Sequence, residues 1–227
     1  MPLGAVLQIF ESCLVVLTAL FPIVNPLATG PIFLSLTPGY SSAARAVLAR
    51  KVALNSFWLL TVSMLIGSHI LDFFGLSVPV VQIGGGMVVV STGWMLLQRE
   101  SEPENVKRNS PHKISPQDIS NRAFYPLTLP LTVGPGSISV AITLGANQVS
   151  ANHAPSGDNI ARFAAAIVGP ALMAVTIYLS YRFAERLARL LGATAMNVIV
   201  RLAAFILVCI GVQIVWNGVR ALIALPR

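Results

Sequence analysis

Apolar residues are arranged along this chain in long runs whose centres carry no charge. A helix needs about 20 mostly apolar residues to cross the hydrocarbon core of a membrane. The pattern therefore predicts six membrane-spanning helices in an all-α membrane protein. They cover residues 12–36, 50–70, 76–97, 124–146, 161–182 and 198–221.

Composition agrees with lipid as the solvent of this chain. Of its 227 residues 55% are apolar and only 10% are charged, and the mean hydropathy is +0.76. Soluble domains have a much higher share of charged residues. Very little chain remains outside the runs, so we expect a single transmembrane domain over residues 1–227.

The net charge of +7 is explained by membrane topology. Lys and Arg are retained on the cytoplasmic side of a membrane, and the loops after spans one, three and five hold most of them. These are Arg45, Arg50, Lys51, Arg99, Lys107, Arg108, Lys113, Arg122, Arg182, Arg186, Arg189 and Arg201, whereas Arg162, Arg220 and Arg227 fall on the other side. We therefore expect a bacterial inner membrane protein with both termini in the periplasm and with the lipid bilayer, not nucleic acid, as its partner.

An internal repeat divides the chain into two halves. Residues 21–35 align without gaps on residues 125–139. Pro22, Pro26, Gly30, Pro31 and Ser35 meet Pro126, Pro130, Gly134, Pro135 and Ser139. The ends of the halves share a weaker similarity, in which Gly86 and Gly93 have the spacing of Ala204 and Gly211.

Each half contains three spans, and this odd number turns the second half upside down relative to the first. The sequence thus predicts two inverted three-helix repeats, at about 1–98 and 123–227. Residues 99–122 are rich in charge and proline and are predicted to form a cytoplasmic linker.

The duplicated prolines predict that helices 1 and 4 are broken at mid-membrane. Proline lacks a backbone N–H group and pushes the preceding residue out of the helical region. Because proline is well accepted at the first position of a helix, we expect new half-helices to begin after Gly30 and after Gly134. Lipid cannot satisfy the freed backbone groups, so the breaks belong in the protein interior.

The two breaks are the candidate binding site. Half-helix starts expose N–H groups that favour an anion, and the half-helix ends near Val24 and Leu129 expose carbonyls that favour a cation, so a zwitterion satisfies both. The candidate substrate-binding residues are Asn25, Pro26, Thr29, Gly30, Thr128, Pro130, Thr132, Gly134, Gly136 and Ser137. The alternative is that the helices are simply kinked and that the Ser and Thr hydroxyls bond back to their own helix.

These motifs resemble those of the MarC family of integral membrane proteins. The strongest marks are residues 25–27, residues 30–33 and residues 130–136. The resemblance covers nearly the whole chain. It implies a six-span inner membrane protein and, as in characterised relatives, transport of small neutral amino acids such as glycine and alanine.

Other functions stay open at this point. The same site suits a transporter or channel for another small polar solute, and a scaffold without transport is an alternative of another class. An enzyme is disfavoured, because a Ser137 nucleophile would need a base from His69, His112 or His153, which lie at span ends or in loops. We predict no catalytic residue, metal or cofactor.

Acidic residues are absent from the centres of the predicted spans, since all eight lie at span ends or beyond. A carboxylate proton relay at mid-depth is therefore not expected. The coupling ion, H⁺ or Na⁺, stays open, as do the direction of transport and the oligomeric state.

Overall fold

A computed structural model describes residues 3–98, 120–150 and 157–224, and no strand occurs within these ranges. The helices are α1 (Leu3–Val24), α2 (Pro26–Leu36), α3 (Ser42–Phe73), α4 (Val78–Gln98), α5 (Ala123–Thr132), α6 (Pro135–Ser150) and α7 (Gly157–Ile223). Gly192, with φ 73° and ψ 170°, divides α7 into α7a (Phe163–Gly192) and α7b (Thr194–Ile223). The predicted linker falls outside the described residues except for 120–122.

The prediction of an all-helical membrane protein is confirmed. Four helices are long and apolar enough to cross a membrane, namely α3, α4, α7a and α7b. The number rises to six if α1 with α2, and α5 with α6, each count as one bent span. The axes bend by 43° between α1 and α2 and by 71° between the helices on either side of Gly134.

The first bend lies at Asn25: α1 ends at Val24, where we predicted a half-helix end, but α2 begins at Pro26 and not after Gly30 as we predicted. Asn25 adopts the left-handed conformation (φ 48°, ψ 57°), and α2 begins with Pro26 at its first position. Asparagine tolerates this conformation better than most residues, and proline suits a helix start. Pro22 and Pro31 stay inside helices, so one of the three prolines determines the break.

The second bend begins a helix where we predicted one, at Pro135 directly after Gly134. The preceding α5 is a wide helix of π type in which Tyr125 (φ −125°, ψ 125°) and Leu129 (φ −107°, ψ 127°) are extended. Both residues precede a proline, and both peptide bonds to proline are cis. Proline disfavours the helical region for the residue before it, which explains where the extended residues fall.

The two halves of the chain interlock. Within the described residues, every extensive contact between separate helices joins α1–α4 to α5–α7. Helices α1 and α2 pack on α7, α3 packs on α5, α6 and α7, and α4 packs on α6 and α7. The buried apolar core surrounds the two bends, where Val24, Leu127 and Val133 are at most 2% exposed. The core therefore requires both halves.

Helices α4 and α7b cross along a seam of small residues. A Cβ atom on Gly86 would lie 2.9 Å from the carbonyl oxygen of Gly211, and a Cβ atom on Gly211 would lie 2.9 Å from that of Gly86. One heptad away, a Cβ atom on Gly93 would lie 3.0 Å from the carbonyl oxygen of Ala204. Small residues permit this close backbone approach between membrane helices. Gly86 pairs with Gly211, whereas the later Gly93 pairs with the earlier Ala204, so the two helices are antiparallel.

Candidate functional site

The first bend presents a buried amide. The backbone carbonyl of Asn25 accepts hydrogen bonds from the N–H groups of Ala28 (3.1 Å) and Thr29 (3.0 Å) and from the Thr29 hydroxyl (3.1 Å). The side-chain Nδ2 of Asn25 is buried and finds no acceptor among the described residues. Leaving such a donor unsatisfied costs about 1–3 kcal/mol, so this amide is suited to a ligand that brings an acceptor.

Threonine hydroxyls satisfy carbonyl groups at the second bend. Thr128 donates to the Ala123 carbonyl and Thr132 to the Leu127 carbonyl, both at 2.6 Å. The backbone N–H of Val133 reaches the Thr128 carbonyl at 2.8 Å. These bonds serve carbonyls that an interrupted helix leaves without their usual partner. Both threonine side chains are buried, so lipid does not reach them.

Tyr181 of α7a joins the two bends. Its hydroxyl lies 2.7 Å from Oγ1 of Thr132 and also interacts with the side chain of Thr29. Because the single proton of Thr132 goes to the Leu127 carbonyl, Tyr181 is the donor to Thr132. The Tyr181 ring, 2% exposed, stacks on Phe33 of α2 with centroids 4.6 Å apart. We call Thr29, Thr132 and Tyr181 the hydroxyl cluster.

Sequence reasoning missed Tyr181. The predicted fifth span ended at residue 182, which placed this tyrosine at a membrane interface, where tyrosines are common. Helix α7a extends to Gly192, so Tyr181 lies well inside it. The sequence between Arg182 and Gly192 is compatible with a helix, because basic residues do not end one. This signal could have shown that the helix continues past residue 182.

Asn55 connects α3 to the second bend. Its Nδ2 donates to Oγ1 of Thr128 at 3.4 Å, and that hydroxyl is free to accept because its proton goes to the Ala123 carbonyl. The neighbouring Ser56 is fully buried, and its Oγ has no hydrogen-bond partner among the described residues. Helix α3 thus adds polar atoms to the region of the bends.

The start of α6 faces a different neighbour. Ser137 donates back to the Gly134 carbonyl at 2.9 Å, as the kinked-helix alternative expects. A Cβ atom on Gly136 would overlap the side chain of Val89 on α4. Gly136 and Ser137 therefore lie where α6 packs on α4, and no described hydrogen bond links them to the hydroxyl cluster.

The remaining candidate residues shape the backbone or the packing. A Cβ atom on Gly30 would lie 3.5 Å from Cβ of Ala184, an ordinary van der Waals distance, so Gly30 lies where α2 packs on α7a. Pro26 is buried at the start of α2. Pro130 is exposed, half-buried Gly134 precedes α6, and neither has a described contact with the hydroxyl cluster. Of the predicted residues, the structure brings Asn25, Thr29 and Thr132 together through Tyr181.

Hydroxyl side chains at both bends are buried, since Thr29, Thr128 and Thr132 are at most 5% exposed. One cavity of about 350 Å³ lies on the surface of α7b and is lined by Asn217, Arg220, Ala221 and Ala224, none of which belongs to a bend. Within residues 3–98, 120–150 and 157–224, no group of three or more His, Cys, Asp or Glu is placed to hold a metal ion. A solute at the bends would thus require a more open arrangement of helices.

Comparison with known proteins places this chain in a family. Residues 10–223 match the profile described as MarC family integral membrane protein. The UPF0056 membrane protein YvbG of Bacillus subtilis (strain 168) is 31% identical over 215 residues, which are 95% of this chain and 97% of that protein. The UPF0056 inner membrane proteins MarC of Escherichia coli O1:K1 / APEC and strain K12 are 31% and 30% identical over 222 residues, which are 96% of this chain and 98% of each relative. No solved structure matches.

Proposed function

The chain belongs to the MarC family of integral membrane proteins, and from this premise we propose that it is a secondary transporter of small neutral amino acids such as glycine and alanine. We place it in the cell inner membrane, with the substrate bound between the two bends. The observation that carries the proposal is the buried, unpartnered amide of Asn25 beside the hydroxyl cluster. A polar atom without a partner is costly inside a membrane domain, so its presence supports a functional site.

The proposed architecture is six spans in two inverted repeats. In such a repeat, a contact between equivalent helices must recur with its two partners exchanged. If Gly86 and Gly93 are equivalent to Ala204 and Gly211, the contact of Gly86 with Gly211 becomes a contact of Ala204 with Gly93 on exchange. Both contacts occur on the seam between α4 and α7b, and this supports the two-fold relation.

An amino acid fits the chemistry of the bends. The Asn25 amide offers donors to a carboxylate, and the N–H groups at the start of a helix add partial positive charge. Pro26 has no N–H group to give to the Pro22 carbonyl, so that oxygen can accept from an ammonium group. The hydroxyl groups of the cluster would exchange their present hydrogen bonds for bonds to the carboxylate and ammonium groups of the amino acid. No described carboxylate adjoins the cluster. The proposal therefore keeps H⁺ and Na⁺ as two alternatives for the coupling ion.

Binding to purified protein tests this proposal. The variant is Asn25→Gly, because glycine tolerates the left-handed conformation of residue 25 whereas alanine would add strain. We expect its affinity for glycine or alanine to fall about 5- to 150-fold, which corresponds to the loss of a buried hydrogen-bond partner. Ser91→Ala is the matched control, since Ser91 is exposed on α4 and distant in sequence from either bend.

Two ligand controls separate the outcomes. Ethylamine, which is alanine without its carboxylate, should bind much more weakly than alanine. Equal binding of the amine would contradict a carboxylate site at the bends. If the wild-type protein binds no neutral amino acid and proteoliposomes do not accumulate one, the substrate class is wrong, and the alternative of another small polar solute takes its place.

A further inference from the structure

A second polar contact between the halves lies one helical turn beyond Tyr181. Nη1 of Arg45, in the first turn of α3, lies 3.1 Å from Oε2 of Glu185 on α7a. Nη2 of the same guanidinium donates to the backbone carbonyl of Thr37 at 3.1 Å. Arg45 therefore connects α3 to two other places: to α7a through Glu185, and to the end of α2 through Thr37. We call Arg45, Glu185 and the Thr37 carbonyl the latch.

The latch is more shielded than an ordinary surface ion pair. The side chains of Arg45 and Glu185 are 21% and 40% exposed, and Nε of Arg45 is buried without a partner. Thr37 is 1% exposed and is held by its own hydroxyl bond to the Phe33 carbonyl at 2.8 Å. Shielding and two simultaneous bonds make a guanidinium contact stronger than an exposed pair.

Two further layers connect the latch to the bends. Along α7a, Ala184 meets Gly30 of α2, and Tyr181 stacks on Phe33. The hydroxyl cluster and the aromatic stack share Tyr181, and the latch residue Glu185 lies one turn further along α7a. Both latch charges lie in segments that the charge distribution predicts to be on the cytoplasmic side.

We propose that the latch is the cytoplasmic gate of the solute pathway, and that this structure has the gate closed. This inference rests on the proposed transport function for its purpose, but its geometry is independent of the substrate. Opening separates α2 and the start of α3 from α7a, which breaks the bonds of Arg45 to Glu185. The stack of Phe33 on Tyr181 parts in the same movement and admits solute to the hydroxyl cluster.

Thiol labelling tests the gate without any substrate. A reporter cysteine replaces Thr29, which is buried beside Tyr181, in a background where Cys13 and Cys209 are alanine. A membrane-impermeant maleimide is applied to inside-out and to right-side-out membrane vesicles. Glu185→Ala should speed labelling about fivefold in inside-out vesicles only, the population shift expected when a contact worth about 1 kcal/mol is lost.

Two further variants sharpen the test. Arg189→Gln is the matched control, because Arg189 approaches the same carboxylate at 4.0 Å but lies on the same helix and does not join the halves. It should leave the labelling rate unchanged. Arg45→Lys keeps the charge but loses the two-pronged grip on Glu185 and Thr37, so it should speed labelling in the same vesicles, to a smaller extent.

Each result decides the matter. Unchanged labelling in Glu185→Ala and in Arg45→Lys overturns the gate, as does equal acceleration in both kinds of vesicle, which would report a loosened fold. If Glu185→Ala does not insert, Arg45→Lys alone carries the same decision. Faster labelling from one side without amino-acid uptake by the wild type would keep the gate and reject the proposed substrate. Uptake with unchanged labelling would reject the gate alone.

Discussion

The hydroxyl pair Thr132 and Tyr181, which links α5 to α7a within the second half of the chain, should show strong energetic coupling. Tyr181→Phe removes one donor and keeps the ring stacked on Phe33. Thr132 loses a bond but still donates to the Leu127 carbonyl, so no donor is left unsatisfied. We expect this variant to lower the free energy of unfolding by about 0.5–1.5 kcal/mol.

Thr132→Val is a more damaging change although the side chains have similar shapes. It removes the acceptor of the Tyr181 hydroxyl, which keeps only its contact with Thr29, and the side-chain donor of the Leu127 carbonyl. Each lost bond costs about 0.5–1.5 kcal/mol. In the double variant Tyr181→Phe/Thr132→Val the bond between the two side chains is lost once and not twice, so the double variant should be about 0.5–1.5 kcal/mol more stable than the two single effects predict together.

Unfolding of the purified protein in mixed micelles, followed by tryptophan fluorescence, measures the four free energies of this cycle. Tyr178→Phe is the control, because Tyr178 lies on the same helix and has no described side-chain hydrogen bond. Additive effects of the two changes, or a Tyr178→Phe effect as large as that of Tyr181→Phe, would refute the bond between Thr132 and Tyr181 as we describe it.

Three further predictions concern the fold. Gly86→Ala should destabilise the protein by about 1–3 kcal/mol, because its Cβ atom would press on the backbone of α7b, whereas Gly84→Ala, which faces open space, should be neutral in the same thermal denaturation. The two halves, expressed separately after division of the linker, should each fail to fold and should be recovered together on co-expression, as judged by co-purification. A cysteine at Ser110 should be shielded from impermeant thiol reagents in intact cells while one at Asn152 is labelled; the reverse would contradict the predicted topology.

Much of the fold follows from local sequence because the membrane makes simple demands. A chain that must satisfy its backbone inside lipid has few options besides the helix, so apolar runs translate directly into helices. The extended backbone of Tyr125 and Leu129 can also be predicted from the sequence, since each residue precedes a proline whose ring restricts its conformation. The start of α6 after Gly134 follows from the same local rule.

The first bend shows where local rules end. Phe21, Asn25 and Gly30 each precede a proline, and glycine is the residue most tolerant of unusual conformations. The bend nevertheless lies at Asn25, where α1 stops at the buried Val24 and α2 turns toward α7a. Gly30 lies within the regular helix α2 and packs against Ala184 of α7a, so it forms part of a helix contact and not of a bend.

The candidate site likewise contains some residues that local sequence predicts and others that depend on packing. The hydroxyl groups of Thr29 and Thr132 could be predicted because the repeat places them beside prolines. Tyr181 could not, since its role depends on contacts with Thr132 and Phe33, which are distant in sequence and which no local spacing encodes. The groups at the second bend come from both halves of the chain, Tyr181 from the same half and Asn55 from the other. The proline motifs therefore indicate where the backbone bends, and helices distant in sequence supply the side chains that face each bend.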